Sequence, residues 1–165
     1  MALPNKVLAG FSATLYAQSG ASPTPLTLSQ LSTLASVSAI AVSGNQLNVE
    51  AIPSFGQDDA VASFTVAGSR QSDKIPTQSA PTSLSITSAW NPSDAVLQQV
   101  RTDAYSSGGT ERTYVVAATD GTNIVYYAFN ARVGQFDIDS APSAEAKAIF
   151  TLHPRGNMYG WSNNA

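Results

Sequence analysis

Cysteine is absent from the 165-residue chain, which excludes disulfides and thiolate metal sites outright. Histidine occurs once, at His153, so imidazole chemistry has a single possible bearer. Charge is scarce. Asp, Glu, Lys and Arg make up 12% of the residues, about half the usual share for a globular protein. Ser, Thr, Ala, Asn and Gln take their place. Such a surface can be covered by neighbours without desolvating many ions, which suits a protein that lives among copies of itself.

Basic residues are the scarcer sign, 8 against 11 acidic ones, for a net charge of −3. Lys6, Arg70, Lys74, Arg101, Arg112, Arg132, Lys147 and Arg155 are scattered along the chain. Tight duplex binding needs clustered cations that neutralise phosphates and release counterions, so specific nucleic-acid binding is excluded. A mildly acidic protein can still face DNA without gripping it. Long apolar runs are missing too. The most apolar stretch, 31–42, is interrupted by Ser and Thr and is too short to span a bilayer. The first residues, MALPNKVLAGF, carry Pro4 and no continuous apolar region of the signal-peptide kind. These features predict a soluble chain, cytosolic at synthesis, with no membrane partner.

What is present points to one domain with a real core: 43% hydrophobic residues on a chain too short for two ordinary domains. Phe11, Ala13, Leu15 and Ala17 alternate with polar neighbours as a strand with one buried face. The segment 26–42 fits either a helix followed by a strand or a strand throughout, and Gly44-Asn45 reads as a tight turn into LNVEAI. Asp58-Asp59 reads as a turn before the strand AVASFTVAG. Residues 69–82, SRQSDKIPTQSAPT, show no periodicity and read as a long loop, functional or mobile.

One helix is expected, over about 92–107. Asn91 serves as N-cap, Pro92 sits at N1, Asp94 at N3, and Gly108-Gly109 follow the end. Val96, Leu97, Val100 and Ala104 would form its buried stripe, with Gln98, Gln99, Arg101 and Asp103 outward or sideways. Trp90, at the corner between strand and helix, would anchor the helix on the sheet. Asp120-Gly121 predicts a two-residue hairpin turn. The strand after it, NIVYYAF, is apolar on both faces, with Tyr127 and Phe129 on one and Tyr126 on the other. One of those faces belongs in the core, and the other must meet the helix or another subunit. In AEAKAIFTLHP, Ala144, Ala146, Ala148, Phe150 and Leu152 would point inward.

No constellation of catalytic residues stands out. A catalytic His153 would need a serine, an orienting carboxylate and an oxyanion hole, and no G-x-S-x-G elbow is present. Asp137 and Asp139, two apart, would share a face of a strand, but no further oxygen ligands stand at fixed spacing to build a cation site. No phosphate loop, zinc pattern or dinucleotide fingerprint occurs, so neither metal nor cofactor is expected.

The segment 83–156 resembles the tail tube (major tail) proteins of long-tailed bacteriophages. The resemblance rests on the order of its parts: a strand ending in Ala89-Trp90, a helix opened by Asn91-Pro92, the hairpin RTYVVAATDGTNIVYYAFNARVGQ, and a strand ending in His153-Pro154-Arg155-Gly156. FTVAGSRQSDKIPT resembles the strand and mobile loop that precede that helix in the family. Residues 1–53 match in outline. The resemblance implies a mainly β fold, a sandwich or barrel-like tail tube domain spanning 1–165 with one flanking helix, without the immunoglobulin-like domain that many relatives carry after it. It implies a structural virion protein with no enzymatic activity, whose hexameric rings stack into a hollow tail tube that passes double-stranded DNA during ejection. Partners would be copies of itself and the tail terminator, tape measure and baseplate proteins. Its location would be the virion tail, after assembly in the host cytoplasm.

Within that picture, Glu50, Asp137 and Asp139 are the candidates to face the lumen. Arg70, Asp73, Lys74 and Ile75, in the loop 69–82, are candidates to reach a neighbouring subunit or ring. Trp90, Val96, Val100, Tyr126, Tyr127 and Phe129 are candidates for helix–sheet and subunit packing. The competing readings are a monomeric carbohydrate-binding β-sandwich, using Trp161 and the tyrosines as sugar platforms, and a hydrolase using His153.

Overall fold

The computed structural model describes residues 12–65, 72–140 and 145–162, and of residues 57–65, 72–80 and 161–162 the backbone course alone. Along the chain run β1 (Ser12–Ala17), α1 (Leu28–Leu31), α2 (Leu34–Ser38), β2 (Gln46–Leu47), β3 (Val49–Ala51), β4 (Gln57–Thr65) and β5 (Ser72–Pro81). They are followed by β6 (Leu84–Ala89), α3 (Ala95–Tyr105), β7 (Glu111–Thr119), β8 (Ile124–Asp139) and β9 (Lys147–Ser162). Seven strands form one antiparallel sheet in the order β2-β1-β7-β8-β9-β6-β3, and β4 and β5 pair as a separate hairpin. The outermost strands, β2 and β3, are separated in sequence by Asn48 alone, so connectivity brings the two sheet edges together. Ser88 Oγ on β6 fastens that junction, donating to the Asn48 carbonyl at 2.6 Å. The sheet is therefore nearly closed and barrel-like, as the mainly β expectation required.

Alternation along the strands fills the interior. Leu84 and Ile86 of β6, Ala148, Phe150 and Leu152 of β9, and Phe129 and Ala131 of β8 are buried together. Phe150 stacks on Phe136 at 6.0 Å, and Tyr114 on Phe129 at 6.1 Å. Helix α3 lays Leu97 and Val100 into this same core. Trp90 anchors the corner, its ring edge-on to Phe136 at 6.0 Å. The opposite face of β7 and β8 is covered by α1 and α2, where Leu31, Val37 and Ile40 pack on Val115 and Ala128, with Tyr126 alongside. That face was expected to meet α3 or another subunit. Two short helices of the same chain cover it, so 26–42 holds neither a strand throughout nor a helix followed by a strand, but helices at Leu28–Leu31 and Leu34–Ser38.

Five further expectations are corrected. Helix α3 begins at Ala95, three residues late, because Asp94 is its N-cap: one carboxylate oxygen accepts from Val96 N at 3.0 Å and Leu97 N at 3.2 Å. Asn91-Pro92 instead makes a turn, with the Asn91 side chain accepting from Ser93 N. Asp103, expected outward or sideways, is 1% exposed and bound by Arg112, also 1% exposed, at 2.7 Å and 3.0 Å. Arg112 further donates to the carbonyls of Gln18 and Gly20, so it ties α3 to the loop after β1. The β7–β8 connection has four residues, Asp120 to Asn123, between the paired Thr119 and Ile124. Asp120 accepts there from the Asn123 and Thr122 amides, which holds its carboxyl below the ordinary value. Finally, Ser72–Pro81 is a strand, not part of a loop, and Asp58-Asp59 lies inside β4 rather than ahead of it.

Tyr114 is fully buried, and no described group hydrogen-bonds its hydroxyl. Burial pushes its phenol far above the ordinary value; Asp103 adds to the shift and Arg112 opposes it.

Candidate functional site

With Leu84, Ile86, Ala148, Phe150, Leu152 and Phe136 facing inward, period-2 alternation puts their neighbours on the outer face of the sheet. Beyond the part that α1 and α2 cover, this face is open. It carries Ser85 and Thr87 of β6, Lys147, Thr151 and His153 of β9, and Arg132, Gln135, Asp137 and Asp139 of β8. Cross-strand register sets Asp139 opposite Lys147, Asp137 opposite Ile149, and Arg132 opposite His153. A β-bulge between Val49 and Ala51 turns Glu50 toward the same group, where its carboxylate meets Lys147 Nζ at 2.7 Å. The three lumen candidates, Glu50, Asp137 and Asp139, thus share one exposed sheet face.

Lys147 is held by Glu50, while Arg155 and Arg132 both reach Glu111, at 2.7 Å and 3.8 Å. Glu50's hydrogen bond and charge hold the Lys147 ammonium above the ordinary lysine value, with Glu145 and Asp139 adding to it. Exposed pairs of this kind contribute little stability. Lys147 is matched by Glu50, and Arg132 and Arg155 share the single carboxylate of Glu111, whereas Asp137 has a hydrogen bond from Gln135 and no ion pair among the described residues. Glu50, Glu111, Asp137 and Asp139 thus outnumber Lys147, Arg132 and Arg155 by one, and the face carries a slight excess of negative charge.

His153 lies on this face as well. Its Nδ1 is 2.9 Å from Ser83 Oγ, and its ring packs over Gly134, where there is no room for a Cβ. Among the described residues no carboxylate hydrogen-bonds the imidazole, and no three His, Asp or Glu side chains are placed to hold a metal ion. Nor is any described helix long and apolar enough to cross a membrane.

The packing candidates lie within the subunit. Val100 and Phe129 are buried in the main core, with Trp90, Val96 and Tyr127 half-buried against it, and Tyr126 beneath α1 and α2. Tyr127 meets Phe55 edge-on at 5.0 Å. Asp73, Lys74 and Ile75 stand in β5, opposite Phe64, Ser63 and Ala62, as backbone positions. Arg70 lies outside the described residues, and the side chain of Trp161 is likewise not described. The reading of the residues left 26–42 open between helix and strand, and missed the pairing of β4 with β5 and the buried Asp103–Arg112 pair.

The nearly closed antiparallel sheet, with α3 packed into its core, is also the fold of chains in three solved assemblies. A chain of the anti-feeding prophage (AFP) baseplate, solved by cryo-EM and 6-fold symmetrised, matches with a TM-score of 0.59 at 13% identity, covering 100% of both chains. A chain of the PVC sheath–tube complex, an extracellular contractile injection system in the extended state, matches with a TM-score of 0.59 at 12% identity, over 96% of this chain and 92% of that one. The SPP1 tail tube matches with a TM-score of 0.54 at 13% identity, over 93% and 77%. At these identities the likeness is one of fold. No protein-family model and no curated protein sequence matches the chain.

Proposed function

We propose that the chain is a tail tube subunit: a structural protein without enzymatic activity, whose copies form hexameric rings that stack into a hollow tube. The observation that carries this reading is the likeness of fold, across 93–100% of the chain, to chains from a baseplate, a sheath–tube complex and a tail tube. A head-to-tail contact that closes makes a ring, and axial repetition of the ring makes a tube.

The outer face with Glu50, Asp137 and Asp139 lines the lumen. A duplex moving through it meets a slight excess of carboxylates over cations, so phosphates are not held and the DNA slides. The β4–β5 hairpin, with Asp73, Lys74 and Ile75, reaches a neighbouring subunit. The subunit works in a virion tail or a phage-derived particle, after assembly in the host cytoplasm, beside terminator, tape measure and baseplate proteins. Negative-stain electron microscopy of purified protein and of lysate from producing cells tests the reading. Stacked rings or hollow tubes of uniform width are expected; strictly monomeric protein with no tubes in the lysate refutes it.

A further inference from the structure

We infer that Asp120-Gly121, in the β7–β8 turn, is the site at which this chain rearranges spontaneously to a β-linked (isoaspartyl) bond, and that hydrogen bonds within the turn hold that step back in the folded subunit.

The susceptibility lies in the dipeptide. The rearrangement needs an Asp or Asn side chain followed by a residue whose backbone nitrogen can reach it, and glycine, with no side chain, hinders that approach least. Of all the Asp and Asn residues in the chain, Asp120 is the only one that glycine follows. The turn requires this glycine. Gly121 has φ of 91°, in the left-handed region that an L side chain rarely adopts. The backbone conformation that closes the hairpin therefore also installs the most reactive pair in the sequence.

In the first step the Gly121 nitrogen attacks Cγ of the protonated Asp120 carboxyl. An N–Cγ bond forms, the Cγ–OH bond breaks, and the hydroxyl leaves as water with the amide proton. Water then opens the five-membered imide at either carbonyl. One opening restores aspartate; the other leaves the main chain running through Cγ, one backbone atom longer. Nothing is oxidised or reduced, and water is the only co-reactant.

The turn engages both reacting groups. Asp120 Oδ1 accepts from Asn123 N at 2.6 Å and Thr122 N at 2.8 Å, and Oδ2 accepts from Asn123 Nδ2 at 3.1 Å. These donors favour the ionised carboxylate, which lacks the hydroxyl leaving group, and they hold the carboxyl below its ordinary value. They also fasten both oxygens, so Cγ cannot turn toward Gly121 without breaking them. The nucleophile is tied down as well: Gly121 N–H donates to Thr119 Oγ1 at 3.0 Å, which retains the proton that the attack must shed. What the brake protects is the hairpin. Thr119 pairs with Ile124 across the turn, and β8 goes on from Val125 to pair with β9, so an added main-chain atom falls between fixed points. A particle of many copies that must persist gains most from such a brake, although the chemistry does not depend on the tube reading.

The test incubates the full chain at neutral pH and physiological temperature, folded and held unfolded in guanidinium. Isoaspartate at position 120 is then measured by enzymatic methylation and located by mass spectrometry. It should accumulate at least about tenfold more slowly in the folded chain, because the reactive geometry breaks hydrogen bonds to an ionised carboxylate. Thr119→Val and Asn123→Ala should each raise the folded-state rate about two- to tenfold and leave the unfolded rate unchanged. Thr119→Ser, which keeps the hydroxyl, should restore the wild-type rate, and thermal unfolding checks that each variant stays folded during incubation. Equal rates in the folded and unfolded wild-type chain overturn the brake. An unfolded chain that modifies elsewhere but not at Asp120 overturns the site. A slow folded chain whose rate neither variant raises overturns these hydrogen bonds as the cause.

Discussion

Asp103→Ala is the most informative single perturbation of the fold. Asp103 and Arg112 are each 1% exposed, and the carboxylate takes two hydrogen bonds from the guanidinium, at 2.7 Å and 3.0 Å. Removing the carboxylate leaves a buried cation whose remaining partners are the carbonyls of Gln18 and Gly20. Breaking a buried pair from one side costs about 3–5 kcal/mol. Against a total stability of about 5–15 kcal/mol, that is a large fraction. At about 2–4 °C per kcal/mol for a chain of this size, the melting temperature should fall by about 6–20 °C. Thermal unfolding followed by circular dichroism measures it. The double variant Asp103→Leu/Arg112→Met, which removes both charges and keeps apolar volume, should be more stable than Asp103→Ala. A loss below about 1 kcal/mol in Asp103→Ala would refute the claim that this pair joins α3 to β7 and to the loop after β1.

Phe150→Ala empties the centre of the main core and should cost about 3–5 kcal/mol in urea unfolding. A cost typical of surface positions would contradict the packing described. Asp120 carries a pH prediction. Its folded-state carboxyl is held below the ordinary 3.8 by the Asn123 and Thr122 amides, so its contribution is present above 3.8 and is lost as pH falls through the lowered value. Those two amides should gain exchange rate in acid before the core does, and amides that stay indifferent until global unfolding would count against it. In tubes that carry it, Asp137→Lys/Asp139→Lys should make the lumen retain DNA in a salt-dependent way. Unchanged DNA passage would argue that this face lies elsewhere than in the lumen.

The parts of the fold that were legible in the residues are those where burial imposes a period. In β9, Ala148, Phe150 and Leu152 alternate with outward positions, and α3 shows its stripe through Leu97 and Val100. The pair Asp137 and Asp139 was placed on one face by the same arithmetic. Elsewhere the local signal was ambiguous. Asn91 and Asp94 are both good caps, and Pro92 suits a turn as well as a first helical position, so tertiary packing decided the start of α3. Asp103 misled because its charge says surface; its partner lies nine residues on, in another element. The β4–β5 hairpin has no core face of its own, and without burial there is no alternation to read. The acidic face was half legible. The spacing of two aspartates showed in the sequence, but the bulge that brings in Glu50 and the pairing of Lys147, Arg132 and Arg155 depend on strands far apart along the chain.

A cryo-EM reconstruction of the assembled protein tests the central claim most directly. The account predicts a hollow, six-fold tube whose channel wall is the outer face of β6, β8 and β9, with Glu50, Asp137 and Asp139 at its surface. A channel lined instead by α1 and α2, or protein that remains monomeric at every concentration, would contradict it.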